Sequence, residues 1–125
     1  MIVPIGDFPI GTVAPFAGPV NEAQLEGQGW MYCNGNSISR TTYADLFGAI
    51  GTAYGEGDGS STFNLPNFRG SFQRGVSHGS GNDPDAALRT ASGAGAHKHD
   101  VTGGGDAETR PINVYCYFVI KFAQV

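Results

Sequence analysis

The sequence contains no apolar run of the roughly 18 residues that a membrane-spanning helix needs. It also lacks a basic segment followed by an apolar one, so we expect no signal peptide and no membrane insertion. Positive charge is scarce, because seven scattered Lys and Arg residues stand against eleven Asp and Glu. Nucleic-acid binding requires concentrated positive charge, so the composition excludes that class of partner.

Cysteine is also scarce, since Cys33 and Cys116 are the two cysteines in the chain. They lie far apart and match neither a C-x-x-C redox motif nor a metal-binding spacing. We interpret both as small buried thiols, which is the usual environment of a free cysteine. A disulfide between them remains an open alternative.

Glycine and proline, in contrast, are abundant, with 20 and seven residues in a chain of 125. Hydrophobic residues make up 40% of the chain, which is enough to form a packed core. This composition predicts a single α+β domain, built mostly from short β-strands and irregular Gly-rich loops.

Three segments have the pattern of strands. Residues 11–16 alternate but are interrupted by Pro15, which predicts an edge strand. Residues 30–33 form a bulky apolar strand that ends at a tight-turn signal, Asn34-Gly35. We interpret Trp30 as a core anchor, with an aromatic platform for a sugar as the alternative. The apolar run 113–122 predicts a central strand or a subunit contact.

One short helix is predicted, at about residues 39–50. Ser39 or Thr41 is the expected N-cap, and Gly51 the expected C-cap. Residues 19–29 are polar and indicate turns. The helical spacing places four side chains on one apolar face: Tyr43, Leu46, Phe47 and Ile50.

Two segments follow this helix. Residues 54–59 form a Gly-rich acidic loop in which Glu56 and Asp58 could hold a cation, but the spacing does not fit an EF-hand. We therefore interpret the loop as a plain turn. Large apolar side chains of the next segment are expected to complete the core: Phe63, Leu65, Phe68 and Phe72.

Residues 77–109 offer only Leu88 and Val101 as sizeable aliphatic groups. Burial of so little apolar surface cannot offset the entropy lost on ordering the segment. We expect a flexible loop, or a segment ordered by another copy of the chain and a ligand. Within it, His97 and His99 stand two residues apart, so in an extended segment both imidazoles face the same way. The pair is an incomplete metal site, which further copies on a symmetry axis would complete.

Two other patterns in this region are interpreted as non-functional. Residues 75–79 match the G-x-S-x-G motif of hydrolases, but that motif needs a strand before it and a helix after it. Pro84 and its polar neighbours would break such a helix, and His78 is interpreted as a surface imidazole. Three polar side chains near Pro84 indicate a turn rather than a calcium loop: Asn82, Asp83 and Asp85.

Ordered blocks of the sequence resemble one known family, the phage tail collar domain. This domain occurs at the tip or collar of short and long tail fibres of T-even-type phages and in contractile injection systems. The resemblance covers about residues 11–122. The blocks that carry it are 11–18, 29–35, 39–47, 52–55, 62–70, 83–89, 97–99 and 108–114.

The resemblance implies an intertwined homotrimer whose His-x-His pairs bind a metal on the three-fold axis. We expect one collar-like domain over residues 1–125. Its parts are a compact core over 1–76, a Gly-rich trimer and metal-binding segment over 77–109, and a C-terminal strand over 110–125.

Three chains that each donate His97 and His99 would supply six imidazole nitrogens. Six ligands suit octahedral iron, nickel or cobalt, with iron preferred, and fit four-coordinate zinc less naturally. Lys98, at the alternate position, would point away from the metal and so avoid its repulsion.

The resemblance also implies a place in a virion tail or an extracellular injection particle. The expected protein is a non-enzymatic fibre tip that binds a host-cell-surface polysaccharide or lipopolysaccharide, or another tail or fibre protein. The alternative is a purely structural cap or collar, and a glycan hydrolase is a remote third reading. Nothing in the sequence identifies receptor-binding residues.

Overall fold

A computed structural model describes residues 8–84 and 113–125 of the protein. Contacts divide the chain into two compact units, Met1–Gln73 with Cys116–Val125, and Arg74–Tyr115. The described helices and strands lie in the first unit. In chain order they are β1 (Val13–Phe16), α1 (Glu22–Gly27), β2 (Trp30–Tyr32), β3 (Ser37–Ser39), α2 (Ala44–Ile50), β4 (Thr62–Asn64) and β5 (Tyr117–Lys121).

The main sheet is antiparallel and has the strand order β1-β5-β2. Ile120 of β5 lies opposite Val13 on one side and Met31 on the other. The prediction of a central C-terminal strand is confirmed, although β5 begins only at Tyr117. β1 is an edge strand as predicted, and its Pro15 is tolerated there because proline has no N–H to donate to a second neighbour.

A second, two-stranded sheet pairs β3 with β4 and places Ile38 opposite Phe63. An isolated bridge between Asn34 and Asn67 lies outside both sheets. These short antiparallel strands and the two helices agree with a mostly β member of the α+β class.

The core is a hydrophobic cluster on the face of the main sheet that carries Ile120. All four residues of the predicted helix face belong to this cluster, with Leu46 fully buried. Full burial of a Leu or Phe side chain contributes about 1.5–3 kcal/mol, so this cluster is the main stabilising feature. Its buried members are Met31, Cys33, Leu46, Phe63, Leu65 and Ile120.

α1, a helix that the sequence interpretation missed, packs against β2. α1 begins after Asn21, whose side-chain oxygen accepts a hydrogen bond from the N–H of Gln24 at 3.2 Å. Leu25 is its one buried residue. A six-residue helix with a single buried apolar position has no 3.6-residue periodicity, so the polar segment was wrongly interpreted as a turn.

α2 begins at Ala44, five residues later than predicted, because Ser39 is the last residue of β3. The Ser39 hydroxyl accepts hydrogen bonds from the N–H groups of Thr41 and Thr42 at 3.3 and 3.1 Å. It therefore stabilises the turn before the helix rather than the helix itself. Gly51 is the C-cap, as predicted, with a φ of 56°.

Two predicted core residues are exposed. Phe72 is 69% exposed, so the apolar segment after Pro66 ends its contribution to the core at Phe68. Cys116 is also exposed, whereas Cys33 is buried as predicted, and both thiols are free. Burial raises the pKa of the Cys33 thiol to about 12, because the apolar surroundings disfavour a thiolate.

Candidate functional site

The predicted metal ligands His97 and His99, with Lys98, lie outside the described residues, as does Asp85. Within 8–84 and 113–125, no group of three or more His, Cys, Asp or Glu side chains could hold a metal ion. The six-nitrogen site therefore stays a prediction from sequence.

The G-x-S-x-G segment lacks the local structure of a hydrolase nucleophile. No strand precedes Ser77 and no helix follows it between residues 71 and 84. The Ser77 hydroxyl instead lies 3.1 Å from that of Ser80, and the N–H of Asn82 donates to the same Ser80 oxygen. His78 is exposed and has a positive φ of 46°, typical of a turn. The segment is thus a turn around His78, and it lacks the strand and helix that the interpretation as an accidental motif also expected to be missing.

The acidic loop before β4 uses its carboxylate for its own backbone. Asp58 accepts hydrogen bonds from the N–H groups of Ser60, Ser61 and Thr62 at 2.9, 2.7 and 3.0 Å, and from the Ser61 hydroxyl. The Ser61 hydroxyl has the largest effect on Asp58, and the three N–H groups add to it. Together these donors hold the pKa of Asp58 below its ordinary value. The geometry supports the interpretation as a turn over that as a cation site.

Arg40 holds the same loop from the other side. Its Nε donates to the carbonyl of Thr62 at 2.7 Å, and an Nη nitrogen donates to the carbonyl of Glu56 at 3.1 Å. The guanidinium also lies 4.8 Å from the centroid of the Phe47 ring. One side chain thereby connects the loop, β4 and α2.

Trp30 is half-buried, and neighbours occupy its ring. The Nζ of Lys121 lies 5.3 Å from the ring centroid, and Phe8 contacts Trp30 edge-on at 5.6 Å. Trp30 is not among the residues of the core cluster, so the prediction that it anchors the core is wrong, although these neighbours hold its ring in place. The alternative of an open platform for a sugar is less consistent with these contacts, because a sugar needs a free ring face.

A shallow pocket opens beside α1, at the end of β2 and the start of β3. We call it the α1–β2 pocket, and its cavity volume is about 100 Å³. Sequence reasoning missed it because one wall belongs to the helix that it did not predict. The lining residues are Glu22, Glu26, Met31, Tyr32, Asn34, Asn36, Ile38, Tyr43 and Leu65.

Exposed apolar side chains are a second notable feature of the surface. In the first unit, Phe72 and Tyr117 are exposed. In the second unit, Val114 is 75% exposed and Tyr115 is 99% exposed, and Val76 is exposed too. Apolar side chains that form a contiguous patch mark surfaces that a partner covers, whereas single exposed ones are normal.

The described part of the chain is a small α+β domain of short antiparallel strands and two helices. The family model for the phage tail collar domain matches residues 11–73, half of the 125-residue chain. The chain belongs to the phage tail collar domain family. This is a family of structural tail-fibre domains.

A curated relative is Protein RhiB of Rhizobium leguminosarum bv. viciae. It is 34% identical over an alignment of 112 positions, which covers 65% of this chain and 51% of RhiB. The chain therefore spans about half the length of the relative it matches. In the described part of the chain, no helix is long and apolar enough to cross a membrane.

Proposed function

We propose that the protein is a homotrimeric tail-fibre-type component of a phage tail or contractile injection particle. The exposed pair Val114 and Tyr115, which directly precedes Cys116 and β5, carries this proposal. Two large apolar side chains in water are unfavourable by about 1.5–3 kcal/mol each relative to full burial. Neighbouring copies of the chain would cover them, and membership of the collar family supports that arrangement.

We further propose that three chains share one metal ion through His97 and His99. The donor set fits such an ion, because six neutral imidazole nitrogens match the octahedral preference of iron, nickel or cobalt. Iron is the preferred candidate, and zinc fits less well because its structural sites take four ligands. The metal would cross-link chains within a sequence that offers little apolar burial.

Native mass spectrometry with elemental analysis tests both proposals together. We expect a species of three times the 13.0 kDa chain mass, with about one metal ion per trimer. A monomer at micromolar concentration would contradict the trimer. A metal-free trimer would contradict the metal site alone.

Within this assembly, the protein acts as a fibre tip that binds a host-cell-surface polysaccharide or lipopolysaccharide, or another tail protein. Trimeric presentation would raise the effective concentration at a surface, so that weak single-site contacts become strong collectively. On a glycan array the trimer should bind particular sugars in a saturable way, whereas a structural cap would bind none.

A further inference from the structure

We propose that Asn34 is a site of spontaneous deamidation, and that the fold controls this modification through one backbone hydrogen bond. Asn34 is the one asparagine of the chain that glycine follows. Deamidation joins the backbone nitrogen of the following residue to the side-chain carbonyl carbon of the asparagine. It is fastest before glycine, because glycine has no Cβ to hinder the approach. The nitrogen of Gly35 is therefore a sterically open nucleophile.

The covalent steps consume only water. The Gly35 nitrogen loses its proton to solvent base and attacks Cγ of Asn34, which forms an oxyanion at Oδ1. The side-chain nitrogen then takes up a proton and leaves as ammonia, and a succinimide ring remains. Water opens this ring at either carbonyl. Position 34 thus becomes aspartate, or isoaspartate with the main chain running through the former side chain.

The turn after β2 already favours the attack. The N–H of Asn36 donates to Oδ1 of Asn34 at 3.0 Å, which polarises the carbonyl and places a donor where the oxyanion forms. Oε1 of Glu22 accepts a hydrogen bond from the leaving amide nitrogen at 3.3 Å and limits the rotation of the amide. The electrophilic carbonyl is therefore activated in the folded chain.

The fold withholds the nucleophile instead. The N–H of Gly35 donates to the carbonyl of Pro66 at 3.1 Å, and Pro66 is fully buried. Asn64 holds the same glycine from its other end, because its Nδ2 donates to the Gly35 carbonyl at 3.1 Å. The Gly35 nitrogen can attack only after the hydrogen bond to Pro66 is broken. The rate of deamidation therefore follows local opening of the bridge between Asn34 and Asn67.

The product prevents the turn from closing again. Aspartate at position 34 has no amide N–H for Glu22, and its carboxylate takes the place of an amide that lies 3.3 Å from the Glu22 carboxylate. The two like charges repel each other. Isoaspartate in addition inserts an extra carbon atom into the main chain beside Gly35. Because Glu22 belongs to α1, deamidation irreversibly loosens the attachment of α1 to the turn after β2.

Peptide mapping by mass spectrometry tests the control by the fold. The full chain is incubated at about pH 8, both folded and in guanidinium. Asn34 should be the first asparagine to convert in the denatured chain, and it should convert at least about tenfold more slowly in the folded chain. Equal rates in the two states, or faster conversion of another asparagine in the denatured chain, would overturn the proposal.

Two variants separate local opening from global unfolding. Asn64→Ala removes the hydrogen bond to the Gly35 carbonyl and should accelerate the folded-state reaction at least about threefold. Lys121→Met, which removes contacts to Gln28 and Trp30 instead, should leave the rate unchanged. Equal acceleration by both variants would contradict the local mechanism.

Hydrogen exchange gives a second measurement that needs no variant. The protection of the Gly35 amide in the wild type should match the factor by which folding slows deamidation. An unprotected Gly35 amide in a chain that still deamidates slowly would contradict the proposed control.

The effect of the product is measured with Asn34→Asp, which should lower the melting temperature. Glu22→Gln in the same background should restore most of the loss, because it removes the repulsion between the two carboxylates. Glu22→Gln alone should change little, because its side-chain oxygen still accepts from Asn34. A melting temperature of Asn34→Asp equal to that of the wild type, or one that Glu22→Gln leaves lowered, would refute the loosening of α1.

Discussion

The Nζ of Lys121 lies 5.3 Å from the centroid of the Trp30 ring, although Lys121 is only 5% exposed. The two residues are direct partners in the register of β2 and β5. The same ammonium donates to the carbonyl of Gln28 at 3.1 Å, immediately after α1. The aromatic face of Trp30 and the carbonyl of Gln28 thus stabilise the buried ammonium of Lys121. Through these contacts Lys121 joins the end of α1 to the sheet.

Replacement of this ammonium should destabilise the fold. Lys121→Met keeps most of the apolar stem but removes both polar contacts, so we expect the free energy of unfolding to fall by about 1–2 kcal/mol. Guanidinium denaturation at fixed protein concentration measures this change in the free energy of unfolding. Trp30→Phe, made alone and together with Lys121→Met, separates the ring contribution. Strict additivity of the two changes would contradict direct coupling.

Gly29 should not tolerate a side chain. Its φ is 86°, and an added Cβ would overlap the carbonyl oxygen of Ala123 and lie 2.9 Å from the Nζ of Lys121. We expect Gly29→Ala to cost at least about 1–2 kcal/mol from the backbone conformation alone. Gly48→Ala, inside α2 with open space around its Cβ, should instead stabilise by about 0.5–1 kcal/mol. Equal melting temperatures for the two variants would contradict this geometry.

Arg40 should not be replaceable by lysine. Its Nε and Nη donate to two different carbonyls while the plane lies over Phe47, and an ammonium cannot reproduce this arrangement. We expect Arg40→Lys to lower the free energy of unfolding by about 1–3 kcal/mol. Arg69→Lys is the control, because Arg69 is exposed and, among the described residues, its side chain hydrogen-bonds to nearby Asn67 alone; its change should stay within about 0.5 kcal/mol.

The hydrogen bonds to Asp58 predict a dependence of stability on pH. Its folded-state pKa lies below the ordinary aspartate value of about 3.9. The stabilisation is therefore complete above the ordinary pKa and is lost as the pH falls through the lower folded-state value. As the pH is lowered from roughly 5 to 2, the melting temperature should fall more steeply for the wild type than for Asp58→Asn. Parallel curves for wild type and Asp58→Asn would refute the prediction.

The proposed metal cross-link predicts that metal binding and thermal stability of the trimer are lost together. His97→Ala combined with His99→Ala should remove stoichiometric metal and lower the melting temperature of the trimer. His78→Ala, which removes the third histidine of the chain, should change neither property. Elemental analysis that finds the same metal content in the double variant would exclude these ligands.

Segments with several regularly spaced apolar residues could be assigned correctly from the sequence. The short polar helix α1 could not. The run ending in β5 and the face of α2 each placed several large side chains on one side, so the central strand and the core helix could be identified. α1 contributes only Leu25 to the interior, and its main signal is the cap residue Asn21. Sequence alone therefore missed both this helix and the pocket beside it.

Local chemistry also failed to distinguish exposed from buried residues of one type. Phe68 packs against the core and Phe72 does not, and Cys33 is buried while Cys116 is exposed. Each pair has the same side chain, so intrinsic hydrophobicity cannot separate its members. The two members of each pair differ in whether their position in the fold lies against the core, which is a property of tertiary structure.

The central position of β5 also has a consequence for the order of folding. Both neighbours of β5 come from the first 32 residues, so every pairing in the main sheet joins segments more than 80 positions apart. During synthesis, β1 and β2 leave the ribosome without a strand to pair with, and the apolar side chains of the sheet stay unprotected until residues 117–121 emerge. Contacts of such long range slow folding. Nascent chains should therefore depend on chaperones until translation has passed β5.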